Sequence, residues 1–596
     1  MTGPKLKPEH DSDTTENNLP LFDPRCGDAE DDISSPKHRS LIAIAGGLLA
    51  EISLPKLIFA WTFSIFIPAL LLGLGPLIAA AWFLKVSRTV VELTSLGAVL
   101  LLLSVAGLGW IGWRPLLRTV EINFWSLNAL AVQPSYAFCR EALWHLTGSM
   151  LSKETSAITR ARLRAISSAA AAIVLCICGA LIATAIWPAS RWVGTAADLL
   201  NMHRLVLPTL ANAVVVVSAY FSVVSLMWGF ADASMAQPID LAAFDLPAEG
   251  LKWRVAHLSD IHQVGERYGF RIESGRVGPR GNVRFTQIMK RLQAIHNTRP
   301  LDLVLISGDM TDAGRATEWA EFLDTMGGYP ALAERTIILP GNHDLNIVDR
   351  MNPARLDLPF SPGKRMRQMR ALAAMAAVQG HRVFVVDPGS QRFDRTLTQA
   401  LGPHRQRIAE FADIGGVRRS AGLGRLWDEQ FPMILPPAET DGLGVAVVNS
   451  NAEAHFSFTN ALGVISVEQT LKLIAALKQF PNARWIIALH HHLVEYPTST
   501  AAFSERVGTA LINGSWFVRK LGPFAARIVI MHGHRHIDWI GACGELRIIS
   551  APSPVMGAAD KASTYFHIHT LTPGPGGRIH LLAPERVLIA GVDGAN

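Results

Sequence analysis

Cysteine is scarce in this chain of 596 residues: Cys26, Cys139, Cys176, Cys178 and Cys543 are the only five, and no two form a C-x-x-C pair. That rules out a disulfide-stapled scaffold and speaks against a thiolate metal site. Charge is thin as well. Only 17% of residues are Asp, Glu, Lys or Arg while 49% are hydrophobic, and the mean hydropathy is +0.24. These values exclude a disordered or collagen-like chain and sit poorly with a purely soluble enzyme. No repeat of fixed period and no low-complexity tract is present. The length calls for at least two folding units.

Charge is wholly missing from four stretches, 57–84, 93–113, 166–187 and 205–230. Each reaches the roughly 20 residues needed to cross about 30 Å of hydrocarbon. They predict a transmembrane region of about four helices over 39–235, preceded by a polar, disordered tail at 1–38. Ion pathways usually need an ionisable group inside the membrane, so an anchor is favoured over a transporter. The net charge of +6 then needs no nucleic-acid partner, because Lys and Arg accumulate in cytoplasmic loops. The segment between the second and third stretches carries Arg114, Arg118, Arg140, Lys153, Arg160, Arg162 and Arg164, whereas neighbouring loops carry Lys85 and Arg88, or Arg191 and Arg204. The expectation is a multi-pass protein of the cell (inner) membrane with both termini and the remaining domain in the cytoplasm. The aromatic-rich part of that long segment suits helices lying at the interface or packing on the spans.

From about Ala231 the pattern becomes α/β. Short β-rich runs at 253–258, 301–306, 336–339, 445–448, 485–489, 528–531 and 546–549 alternate with helical segments such as 285–296 and 467–480. The ends of these runs carry His257-Leu258-Ser259-Asp260-Ile261-His262, Gly308-Asp309, Gly341-Asn342-His343-Asp344, His490-His491-His492 and His532-Gly533-His534-Arg535-His536. Carboxyl ends of strands in an α/β sheet converge on one crevice, so these clusters predict a metal site. Carboxylate, imidazole and amide donors without thiolate suit Mn, Fe or Zn.

In their order, D-x-H, G-D, G-N-H-D, a later His and G-H-x-H, the motifs resemble the calcineurin-like metallophosphoesterases, over about 251–583. The resemblance implies an α/β fold with four αββα layers over 236–596 and a centre of two divalent metal ions. It implies that Asp260, His262 and His536 hold one metal, that Asn342, His490 and His534 hold the other, and that Asp309 bridges them. His343 would stabilise charge and protonate the leaving oxygen, with Asp344 orienting its imidazole. The triplet departs from the family's H-H-P, which leaves His490 and His491 as alternatives; strand alternation favours His490. His532 reads as a structural histidine, and Asp312 as a partner of backbone or of a ligand histidine. Arg535 reads as a salt-bridge former or a phosphate contact.

Two insertions are expected to govern substrate choice: a basic loop at 263–284, with Arg267, Arg271, Arg276 and Arg280, and a cap at 346–444, with Arg365, Arg367, Arg370, Arg418 and Arg419. The implied activity is hydrolysis of a phosphate ester, either a phosphodiester or a pyrophosphate. Lipid-linked or nucleotide substrates and contact with membrane lipids are part of this expectation. A nuclease and a non-enzymatic membrane sensor are the alternatives. The chain has no recognisable nucleic-acid module, and its ligand set is complete.

Overall fold

The computed structural model describes residues 66–92, 132–149, 155–190, 201–246, 250–265, 281–346, 361–387, 392–452, 461–497, 511–556 and 562–591, with isolated positions between. Two compact units are present: Gly46–Gln237 with Ala501–Gly508, and Met1–Ala45 with Pro238–Thr500 and Thr509–Asn596.

Helices α1 (Ile67–Glu92), α2 (Gln133–Ser149), α3 (Ala157–Ser190) and α4 (Met202–Ser234) make up the described part of the first unit. Among the described residues three segments are long and apolar enough to span a membrane: Leu70–Thr89, Ile158–Ser190 and His203–Ser234. The expected count of four is therefore not reached, because most of the stretch 93–113 lies outside the described residues. Small residues let α3 and α4 approach closely, as membrane helices need where no hydrophobic force separates protein from lipid. A Cβ on Gly179 would stand 2.3 Å from Ser222 Oγ. Helix α2, expected either at the interface or against the spans, does the latter. Tyr136 and Arg140 bond the Asp232 carboxylate on α4 at 3.0 and 2.8 Å, and the Arg164 guanidinium of α3 lies 5.7 Å from the Trp144 ring.

The second unit is a mixed α/β domain with two sheets. The smaller contains β2 (Trp253–Leu258), β3 (Leu303–Ile306) and β4 (Thr336–Ile338), all parallel, with β13 (Thr564–Pro573) antiparallel to β2 and with β14 (Ile579–Leu581) and β15 (Glu585–Ile589) on β13. The larger has at its centre the parallel strands β8 (Leu443–Val447), β9 (Arg484–Ala488), β10 (Ile528–His532) and β12 (Leu546–Ser550). On one side of these lie β11 (Trp539–Cys543) and β1 (Pro238–Asp240). On the other lie β7 (Met433–Leu435), β5 (Phe384–Val385) and β6 (Arg395–Thr396). Strands β3, β4 and β9 are buried at every position. That is why they read as unbroken apolar runs: parallel strands are covered on both faces. Val255, Val304 and Ile337 of one sheet share a core cluster with Val445, Ile486 and Val529 of the other.

Helices α5 (Gly281–Thr298) and α6 (Ala316–Gly327) follow β2 and β3, as crossover connections between parallel strands require. After β4 come the single turn α7 (Asn342–Leu345) and, beyond undescribed residues, α8 (Pro362–Gln379). Helix α8 buries Met369, Leu372 and Met375 in the core, and β5, β6 and β7 extend the larger sheet. The described part of the segment expected to form a cap, 346–444, is thus built into the sheet and core. Helix α9 (Val467–Gln479) starts on a Ser466 side-chain cap and buries Leu473 and Leu477.

Candidate metal centre

The loops after β2, β3, β4, β9 and β10 meet at one end of the two sheets, and each brings one of the sequence clusters. One ligand atom from each of Asp260, His262 and His536 lies within 4.8 Å of the others; so do atoms of Asp260, Asp309 and His490, and of His262, Asp309 and His343. Asp309 Oδ2 stands 3.2 Å from His490 Nε2 and 3.7 Å from His262 Nε2, and Asp260 Oδ1 stands 3.2 Å from His536 Nε2. Asn342 Oδ1 is 3.0 Å from His490 Nε2, and His534 Nδ1 is 3.2 Å from the same nitrogen. All seven residues expected as ligands therefore come together, and His343 is drawn in beside them.

The backbone is forced to place them. Asp260, His262, Asp309, His534 and His536 all have positive φ, between 49° and 77°. A left-handed non-glycine residue costs on the order of 1 kcal/mol, and such conformations collect at functional sites. Gly341 allows the closest approach: a Cβ there would fall 2.0 Å from Asp309 Oδ1.

Two of the ligand imidazoles are aimed by their second nitrogen, as metal-binding histidines usually are. His490 Nδ1 is 2.9 Å from the Ser307 carbonyl, and His262 Nδ1 is 3.2 Å from Asp312 Oδ1. His491 turns away, its Nδ1 2.9 Å from Ser450 Oγ, so of the two alternatives His490 is the one facing Asp309. His343 Nδ1 lies 2.8 Å from the Asp312 carbonyl oxygen. Asp344, expected to orient that ring, is engaged elsewhere: it accepts from Thr311 N and Oγ1 at 2.9 and 2.7 Å and from Gly341 N at 2.8 Å. Burial and the nearby Asp309 charge push the Asp344 carboxyl up to about 7. It locks two loops together instead of touching the imidazole.

Burial works against the charged form of Asp309, but His490, His343 and His262 outweigh it and hold the carboxyl far below its ordinary range. Burial would likewise depress His490, yet Asp309 and Asp260 raise it to about 9; His536 is raised by Asp260 in the same way. The buried carboxylates favour positive charge at the place where a cation would sit. Donor set, burial and charge thus fit a divalent ion bound by nitrogen and oxygen.

Other sequence candidates are distributed differently. Arg535 pairs with Glu495 at 2.7 and 3.1 Å, which settles it as a salt-bridge former. His532 is fully buried, and burial lowers its pKa to about 3. Arg367 and Arg370, expected to face substrate or membrane, are buried and donate to backbone carbonyls. Arg267, Arg271, Arg276 and Arg280 lie outside the described residues. The carbonyls of Asp312 and Ser307 were missed, since a backbone acceptor leaves no mark in residue type.

The site gathers His and Asp groups that could hold a metal ion. Residues 254–429 match the model of the calcineurin-like phosphoesterase family. No curated protein matches the chain. Among solved structures, it is similar to a Staphylococcus aureus protein assigned as a 5′-nucleotidase (12% identity, 58% of this chain and 55% of that one, TM-score 0.28). It is also similar to the NAD nucleotidase of Haemophilus influenzae (11%, 57% and 50%, 0.28) and to a purple acid phosphatase from yellow lupin seeds (13%, 59% and 55%, 0.27). The chain spans about half the length of each, and overlap this loose bears on neither fold nor activity.

Proposed function

We propose that the protein is a membrane-anchored phosphohydrolase with two metal ions, acting on a phosphodiester or pyrophosphate, with its catalytic domain in the cytoplasm. The observation that carries this reading is the convergence of Asp260, His262, Asp309, His490 and His536 within bonding reach of shared ions. Asn342 and His534 complete the ligand set, and the domain is read as four αββα layers following a four-helix membrane region. When bound, the ions would clamp phosphoryl oxygens and supply a hydroxide near neutral pH.

The chain's own groups do the rest. Asp309 presents two carboxylate oxygens between the two halves of the ligand set. With Nδ1 held by the Asp312 carbonyl, His343 keeps Nε2 for the substrate and protonates the departing oxygen. Asp312, Thr311 and Asp344 hold the loops at 311–315 and 341–346 in one arrangement, so that proton donor and ligands need no reorganisation at the moment of reaction. The basic loop at 263–284 and the insertion at 346–444 border the site in sequence and set the substrate. A membrane tether raises encounter with lipid-linked phosphates.

The deciding experiment is a hydrolysis panel on the metal-loaded full chain, covering monoesters, diesters, cyclic nucleotides, nucleotide-sugar pyrophosphates, phospholipids and DNA. Turnover of a diester or pyrophosphate supports the reading. Cleavage of DNA alone would make the protein a nuclease, and ligand binding without any turnover would make it a sensor.

A further inference from the structure

The insertion after β4 reaches back to the loops that carry the proton donor. Helix α8 buries Arg370 completely and Arg367 almost so, at 0% and 5% exposure. Arg370 Nη1 donates to the Gly314 carbonyl at 3.2 Å, and Arg367 Nε donates to the Leu345 carbonyl at 2.9 Å. Three residues apart, they share one face of the helix. Their two acceptors lie on different loops. Gly314 is two residues beyond Asp312, whose carbonyl holds His343 and whose carboxylate holds His262. Leu345 is two residues beyond His343 itself.

The contacts are close. Gly314 has φ +68°, and a Cβ there would fall 3.0 Å from Arg367 Cδ and 2.5 Å from the Asp344 carbonyl oxygen. Gly314 N donates to Thr311 Oγ1 at 3.1 Å, and that hydroxyl donates to Asp344. A chain of contacts therefore runs from α8 through Gly314 and Thr311 to both loops. Packing alone does not account for two guanidinium groups at this place. An apolar side chain of the same reach would fill the space without the desolvation cost of a buried cation. What arginine adds is a planar set of donors that bonds carbonyl oxygens in fixed directions.

We infer that Arg367 and Arg370 are positioning residues for the phosphoester reaction: Arg370 acts through the loop that carries the Asp312 carbonyl and Arg367 through the loop that carries His343, and together they hold the His343 imidazole in line. The inference rests on the proposed role of His343.

The test is a double-mutant cycle on the full chain in detergent micelles, using a diester with a poor leaving group. Arg370→Met should lower kcat between about tenfold and a hundredfold while KM stays nearly constant, as expected when a reacting group is misplaced. In the His343→Ala background the same substitution should cost almost nothing, because the group it positions is gone. Arg370→Lys should recover part of the loss. Hydrogen exchange in Arg370→Met should speed up in peptides covering 308–315 and 341–346, while β9 and β10 keep their protection. If Arg370→Met fails to accumulate, Arg370→Lys carries the same cycle. Equal losses in the two backgrounds, or a wild-type kcat for Arg370→Met, would overturn the inference. A wild-type rate for His343→Ala would overturn the role of His343 first.

Discussion

The His343 imidazole is held by a backbone atom, its Nδ1 2.8 Å from the carbonyl oxygen of Asp312 thirty-one residues earlier in the chain. The same aspartate, through its carboxylate, stands 3.2 Å from His262 Nδ1. One residue thus aligns His262, proposed as a metal ligand, and His343, the proposed proton donor.

His343→Ala should lower turnover of an unactivated ester by roughly 10² to 10⁴. Substrates with good leaving groups should lose much less, because they depart without a proton. A plot of log kcat against leaving-group pKa checks this: its slope should steepen in the variant.

Asp309→Ala should leave the protein without bound metal and without activity. On the proposed two-metal reading, removing the bridging carboxylate would set two cations side by side with less charge between them. Metal analysis after gel filtration, alongside chelation and re-addition of Mn, Fe or Zn to the wild type, measures both halves of this expectation.

Gly341→Ala should inactivate the enzyme without unfolding it. The new methyl would press on the Asp309 carboxylate at 2.0 Å and its backbone nitrogen at 2.3 Å. Thermal unfolding should shift by only a few degrees, while the metal content falls. A variant with normal metal content and normal turnover would show that the loop has room to yield.

Asp245 offers a pH test away from the site. Partial burial disfavours its charge, but the Arg547 guanidinium and the Leu581 N–H, at 2.8 Å, outweigh that and hold its carboxyl below the ordinary value of 3.8. A depressed carboxylate pKa contributes stability that is present above the unfolded value and is lost as pH falls through the folded one. Asp245→Asn should therefore lower Tm at pH 7, and the gap to wild type should close below about pH 4. A gap independent of pH would mean that charge is not its source.

Reporter fusions after Ser234 and near Arg140 should both report the cytoplasmic side, and a fusion near Arg191 the opposite one, from the asymmetry of loop charge. An external signal after Ser234 would move the catalytic domain, and its pool of substrates, across the membrane.

The strands nearest the site could be read from sequence because they are buried on both faces. The apolar run at 253–258 is β2, and those at 336–339 and 485–489 differ from β4 and β9 by a residue or so. Their terminal Asp, Asn and His residues stood out against that apolar background, which is why the ligand cluster was legible. Strand β13 was missed because His567, His569 and three threonines break its apolar pattern, although it is largely buried. The two-residue strands β5 and β6 are too short to leave a period. Arg367 and Arg370 looked like surface charge because nothing local reveals carbonyls waiting 22 and 56 residues away. The second expected span falls largely among residues outside the description, and the link between Asp344 and His343 failed because adjacent residues on a helical turn point in different directions.

Five residues of the centre, three of them histidines, sit in backbone conformations that glycine would adopt at less cost. Selection for thermostability alone would tend to erase them, since replacing any one by glycine or asparagine relaxes the local chain while deleting a ligand or changing its reach. A laboratory lineage evolved for heat resistance without an activity screen should therefore drift towards a sturdier and inert domain. Retention of such residues at all five positions would identify members of the lineage still under selection for chemistry.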